Sequence, residues 1–127
     1  MFDKLEIVRT AQALSAHAGA RQAVIARNVA NADTPGYKAQ DLPDFAATVA
    51  GGEAMRATRP GHLGGTGAGL PDPVPLATPG AASPDGNTVS LEGEMVRAVQ
   101  VRQQHEMALA VYRSVSEITR TALGRGR

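Results

Sequence analysis

Two apolar repeats, one near each end of the chain, limit what it can fold into more than any other feature. Val8, Ala11, Ser15, Ala18, Gln22, Ile25, Val29 and Ala32 follow one another at alternating steps of 3 and 4. Val101, Gln104, Ala108, Val111, Val115, Ile118 and Ala122 do the same. Such steps put side chains on one stripe of an α-helix, and a stripe sustained for three heptads asks for a helical partner. The spacing predicts one helix over 3–32 and a second over about 91–123. Leu5, Leu14 and Val24 widen the first stripe, and Leu109, Tyr112 and Leu123 flank the second. Each seam carries one glutamine, and a polar seam residue can select register or partner number at some cost in stability. The expected fold is all-α: two long terminal helices packed as an antiparallel coiled-coil-like pair, in one layer.

Between them lies a different kind of sequence. Residues 51–86 hold 9 of the 14 glycines and 6 of the 8 prolines but only five charges, a composition that neither sustains a regular element nor buries a core. This predicts a weakly ordered insert over 39–86, with 1–38 forming the first helix and a hinge, and 87–127 forming the second helix. The two ends would make one discontinuous domain. Leu42, Phe45 and Val49 keep helical spacing, so a short helical turn is expected after Pro43, with Phe45 as an anchor. Gly64-Gly-Thr-Gly-Ala-Gly69 mimics phosphate-binding glycines, yet no Lys-Ser/Thr follows it and no strand leads into it. Pro71-Asp-Pro-Val-Pro75 reads as an extended spacer.

The hinge is Asn28-Val-Ala-Asn-Ala-Asp-Thr-Pro-Gly-Tyr-Lys38. Pro35 has no N–H and drives Thr34 towards extended geometry, so the helix must stop before it. Gly36 can turn with positive φ at no steric cost. Asn28 and Asn31 share a helix face, where their amides can tie down the turn. Towards the second helix, Asp85-Gly-Asn reads as a turn, Thr88 and Val89 as a short extended piece, and Ser90 as an N-cap. Glu92 and Glu94 suit the helix dipole, while Gly93 stands where a capping box would have Glu. Arg120 followed by Gly124 marks the end.

Little chemistry is visible. His17, His62 and His105 are isolated, and no ligand spacing of the His-Glu-x-x-His kind occurs. Asp3, Glu6, Glu94, Glu106 and Glu117 read as helix-surface charges, and Ser and Thr are scattered without a paired base. No catalytic residue, cofactor or metal is expected. With no cysteine, disulfides and thiolate sites are excluded. A net charge of +1 leaves no footprint for nucleic acid. No apolar run approaches the ~20 residues of a membrane span. Met1-Phe-Asp-Lys-Leu-Glu6 has acids where a secretory signal has only bases, so a cleaved signal is not expected. The hydrophobic fraction is 43% but aromatics are only 3%, and much of the rest is alanine. At roughly 0.8 kcal/mol per buried CH₂, such seams stabilise a lone subunit weakly, so partners are expected to supply the missing burial.

The run Asn28 to Lys38 resembles the N-terminal signature of the bacterial flagellar rod, hook and related axial proteins. Asp85-Gly-Asn-Thr-Val89, leading straight into the last helix, resembles the small proximal-rod branch of that family. The resemblance covers roughly 1–45 and 85–123. It implies a structural part of the basal-body rod, exported without a cleaved signal through the flagellar type III apparatus to the periplasm. The helices would pack as an inner tube domain, and many copies would stack helically into the drive shaft. Implied partners are further copies, other rod proteins including FlgC, the adaptor FliE, the membrane ring and the export apparatus. Asn28, Asn31, Asp33, Thr34, Pro35, Gly36 and Tyr37 would then fix the hinge and meet a neighbouring subunit. The alternative is a small secreted or cytosolic helical adaptor that uses the same seams to bind one partner helix. An enzyme is the weakest reading.

Overall fold

A computed structural model describes residues 2–51 and 74–124. Helix α1 spans Phe2–Ala30 and helix α3 spans Leu91–Gly124. Between them come a two-residue strand β1 (Gln40–Asp41), a short helix α2 (Phe45–Gly51) and a two-residue strand β2 (Leu76–Ala77). The expected all-α pair is present. Ser15 meets His105, Ile25 clusters with Val101, and Asn87 meets Asn31, so positions rise on one helix as they fall on the other. The pairing is antiparallel.

Each helix begins and ends for local reasons. Ser90 caps α3: its Oγ accepts from the Gly93 N–H at 3.3 Å, and the Ser90 carbonyl accepts from the Glu94 N–H. A Cβ at Gly93 would meet the Ser90 hydroxyl at 3.4 Å, an ordinary contact, so the cap itself does not demand glycine there. Asp44 serves α2 in the same way through its carbonyl, which takes both the N–H and the hydroxyl of Thr48.

The core is narrow. Ala18, Ile25 and Val101 form its centre, with Ala98 packed against them, and Ala11 and Ala108 continue the line. Of the seam positions, Val8 and Val115 are half-buried, while Val29, Val111 and Ile118 are exposed, as are Gln22 and Gln104. The reason is geometric. One partner helix covers one stripe, so every seventh residue (11, 18, 25; 94, 101, 108) is buried and the intervening heptad positions fall on the rim. Counting from the Ser15–His105 contact, Val29 also lies level with the first residue of α3. The seam glutamines therefore do not meet inside the interface.

Parts of the segment expected as insert are patterned. β1 pairs antiparallel with β2, Gln40 opposite Ala77 and Asp41 opposite Leu76. Thr78 N–H donates to the Ala39 carbonyl at 2.8 Å. The helical turn expected after Pro43 is α2, with Leu42 buried and the Phe45 ring set edge-on to His17. The glycine run 64–69 and most of the proline spacer lie outside the described residues.

Candidate functional site

The two sequence signatures, 28–38 and 85–89, fold into one junction where the end of α1 meets the start of α3. α1 tightens as it ends. The Asn31 N–H donates to both the Arg27 and Asn28 carbonyls, Ala32 N–H to Val29, and Thr34 N–H to Asn31. Asn31 adds its side chain: Nδ2 donates to the Arg27 carbonyl at 2.8 Å and Oδ1 accepts from the Thr34 hydroxyl. Gly36 then takes a φ of 71°, in the left-handed region that glycine adopts freely.

The carbonyls left over at a helix C-terminus need donors. Here the donor is a residue 53 to 56 positions further along the chain. The Asn87 side chain is buried, and its Nδ2 donates to the carbonyls of Asn31 (3.0 Å), Ala32 (2.7 Å) and Thr34 (2.9 Å). An amide has two hydrogens, so one is shared between two of the three. Asn87 is itself fixed: its Oδ1 accepts from Val89 N–H at 2.8 Å, and its own N–H donates to the Asp85 carboxylate at 3.0 Å. This places the residue that caps α1 three positions before the N-cap of α3.

Backbone contacts close the junction. Gly36 N–H donates to Asp85, and Thr88 N–H to Tyr37, each at 3.0 Å. The Thr88 hydroxyl accepts from Ala39 N–H, and the Lys38 ammonium donates to the Gly86 carbonyl. Gly86 also has positive φ, and a Cβ there would lie 3.6 Å from the Gly36 Cα, so the two turns pass close together.

Asn28, fully buried, makes the second tie. Its Nδ2 donates to the Gln40 carbonyl at 2.6 Å, while its Oδ1 accepts from Gln40 N–H (3.1 Å) and the Tyr37 hydroxyl (3.3 Å). The amide thus pairs with one backbone unit as a neighbouring strand would. Beside it, Arg21 grips Asp41 with two parallel bonds, Nε to Oδ1 at 2.7 Å and Nη2 to Oδ2 at 2.6 Å, and reaches Asp44 at 3.3 Å. Burial alone would push the Asp41 carboxyl up. The Arg21 hydrogen bonds and charge, the Leu42 N–H and the Arg97 charge outweigh it and hold the carboxyl below its usual range. Arg21 is held above its ordinary value, chiefly by its hydrogen bond to Asp41. Arg97 also pairs with the buried Glu94 one turn back on α3.

The hinge residues therefore divide into two groups. Asn28 and Tyr37 are turned inward and used up in holding the junction, and the partly exposed Asn31 is used up in closing its own turn. Asp33, Thr34, Pro35 and Gly36 are exposed, and among the described residues the Asp33 side chain makes no hydrogen bond or ion pair. From sequence, Asn87 reads only as part of a turn, His17 reads as isolated, and nothing singles out Arg21 or Asp41. Asn87 is findable as a polar residue one place after a turn glycine and ahead of an N-cap. The Arg21–Asp41 pair spans 20 positions with no local pattern to mark it. Among the described residues no group of His, Asp and Glu is arranged to hold a metal ion, and no helix is long and apolar enough to cross a membrane.

Residues 10–38 match the family model described as flagella basal body rod protein. The flagellar basal body rod protein FlgB of Salmonella typhimurium is 34% identical over 102 residues, covering 72% of this chain and 73% of the relative. FlgB of Escherichia coli K12 is 33% identical over 123 residues, covering 87% and 88%. FlgB of Agrobacterium fabrum is 30% identical over 100 residues, covering 74% and 75%. The chain belongs to the flagellar basal-body rod protein family, as a FlgB-like structural component of the rod.

Proposed function

We propose that this protein builds the proximal part of the rod, and that the outward side of its hinge is a contact between subunits. The observation behind this is the division of the hinge motif. Asn28, Asn31 and Tyr37 are consumed in the turn and the junction, whereas Asp33, Thr34, Pro35 and Gly36 stand exposed. The helix pair supports the same reading. Val96, Val99, Met107, Val111, Ile118 and Leu123 all lie exposed on α3, more apolar surface than a lone subunit gains from leaving in water. Stacking copies head to tail would cover it, and such heterologous contacts grow a helix where the rotation does not close. On this reading the subunit travels through the flagellar type III apparatus without a cleaved signal. It joins the rod in the periplasm, next to the adaptor FliE on the membrane side and FlgC beyond.

The test is an in-frame deletion of the gene, complemented by the native chain or by variants, with electron microscopy of extracted basal bodies. Deletion leaves ring complexes with no rod and nothing distal to it. Asp33→Lys folds like the native subunit yet fails to restore the rod. Complete flagella in the deletion strain would overturn the rod role. Full rescue by Asp33→Lys would reduce the exposed hinge to a helix ending.

A further inference from the structure

α1 has a second stripe beside its seam. His17, Arg21, Val24 and Asn28 follow at steps of 4, 3 and 4, and residues 40–45 run along them in the opposite direction. Asn28 holds both backbone groups of Gln40 at 2.6 and 3.1 Å. Arg21 takes Asp41 bidentately and reaches Asp44. The Leu42 side chain is buried, as is Val24. The His17 ring bonds through Nε2 to the Pro43 carbonyl at 2.9 Å and meets the Phe45 ring edge-on, centroids 5.6 Å apart. One backbone unit, two acids, one carbonyl and one aromatic ring are thus held in order, around a buried Leu42. Side chains of the helix make each of these polar and ring contacts. None depends on the covalent connection through the hinge.

We propose that this stripe is a cleft for an extended acidic peptide of the pattern Gln-Asp-Leu-Pro-Asp-Phe, filled by the chain's own residues 40–45 and able to take the same segment from a second copy. Charge complementarity argues for that occupant, because a cation on the helix faces two acids on the strap, and every copy carries both halves. The hinge supplies the pivot. The strap is joined to α1 through Gly36, whose positive φ decides whether it folds back on its own helix. Exchange of an identical element between copies is a low-cost route to association.

A charge swap tests this with purified full chains. Arg21→Glu and Asp41→Arg each set like charges against one another in their own clasp. When the two variants are mixed, the acidic cleft of the first accepts the basic strap of the second. The unaltered Arg21 cleft of the second likewise accepts the unaltered Asp41 strap of the first. Light scattering should show a mixed complex at a concentration at least tenfold below that at which either variant self-associates. A mixture that behaves as the sum of its parts overturns the proposal, all the more clearly if the double variant in one chain restores slow exchange of the Gln40 amide, which bonds to Asn28 and not to the altered residue 41. If either single variant fails to fold, a labelled peptide of residues 39–46 added to the native chain replaces the mixture. It should bind at least tenfold tighter than the same peptide with Asp41→Arg, and equal binding or none overturns the proposal. Neither outcome bears on the rod role, which requires only that copies assemble.

Discussion

Replacing Asn87 by Ala should cost more stability than any other polar truncation in the junction. The side chain serves four backbone groups: three carbonyls through Nδ2 and the Val89 N–H through Oδ1. Two of those carbonyls keep other donors, since Asn31 also accepts from Thr34 N–H and Thr34 from Tyr37 N–H. The Ala32 carbonyl and the Val89 N–H lose their side-chain partner outright. A buried group left unpaired costs about 1–3 kcal/mol, and water entering the vacated space recovers part of it, so a loss of about 2–4 kcal/mol is expected. Urea unfolding followed by circular dichroism reads this directly. With a slope of about 1–3 kcal/mol per molar for a small protein, the midpoint should fall by roughly 1–2 M. Asn87→Asp should do no better, because it keeps the acceptor for Val89 but turns an oxygen towards three carbonyls. Asn31→Ala is the control; its amide is more exposed and bonds only within its own turn, so it should cost about 0.5–1 kcal/mol. If Asn87→Ala unfolds within about 0.5 kcal/mol of Asn31→Ala (the spread of one net hydrogen bond), the capping argument is wrong.

Gly36→Ala should destabilise by about 1 kcal/mol through backbone conformation alone, because a Cβ there meets nothing within 4 Å; a larger loss in the same unfolding assay would point to an unseen clash. Val101→Ala removes a side chain only 2% exposed and should cost about 2 kcal/mol, whereas Val99→Ala, 69% exposed, should leave the isolated subunit unchanged. Arg21→Gln should speed hydrogen exchange at the Leu42 amide at least tenfold while sparing the amides of the helix interface, since it loosens the strap and not the pair. The strap should also respond to acid. The Asp41 carboxyl sits below its usual range in the folded chain, so its contribution is fully present above the ordinary value of about 4 and is lost as pH falls through the lowered one. Leu42 exchange followed from about pH 7 downward, referenced to the intrinsic rate, should stay flat to about pH 4 and rise only below it.

The helices were legible because their causes are local. Periodicity, Pro35, Ser90 and Gly124 are each readable within a few residues, and the observed limits of α1 and α3 lie within two residues of those expected. The width of the buried seam was not legible. A heptad pattern tells which residues share a face, but how much of that face is covered depends on how many partners are present, so Val111 and Ile118 stand exposed in one chain. The strap was hidden for another reason. Its clasp joins Arg21 to Asp41 and Asn28 to Gln40, pairings set by the return path of the chain after Gly36. The junction lay between these cases. Both of its halves stand out as motifs, yet nothing local shows that Asn87 caps the helix that Asn31 ends.

The most direct measurement is a photo-cross-linking residue placed at Pro35, on the exposed side of the hinge, in cells that assemble rods. Basal bodies are purified after irradiation and the linked species identified by mass. The account predicts a covalent product joining two rod-protein chains through position 35. Products confined to one chain, or none, while a probe at exposed Val111 links neighbours efficiently, would contradict it.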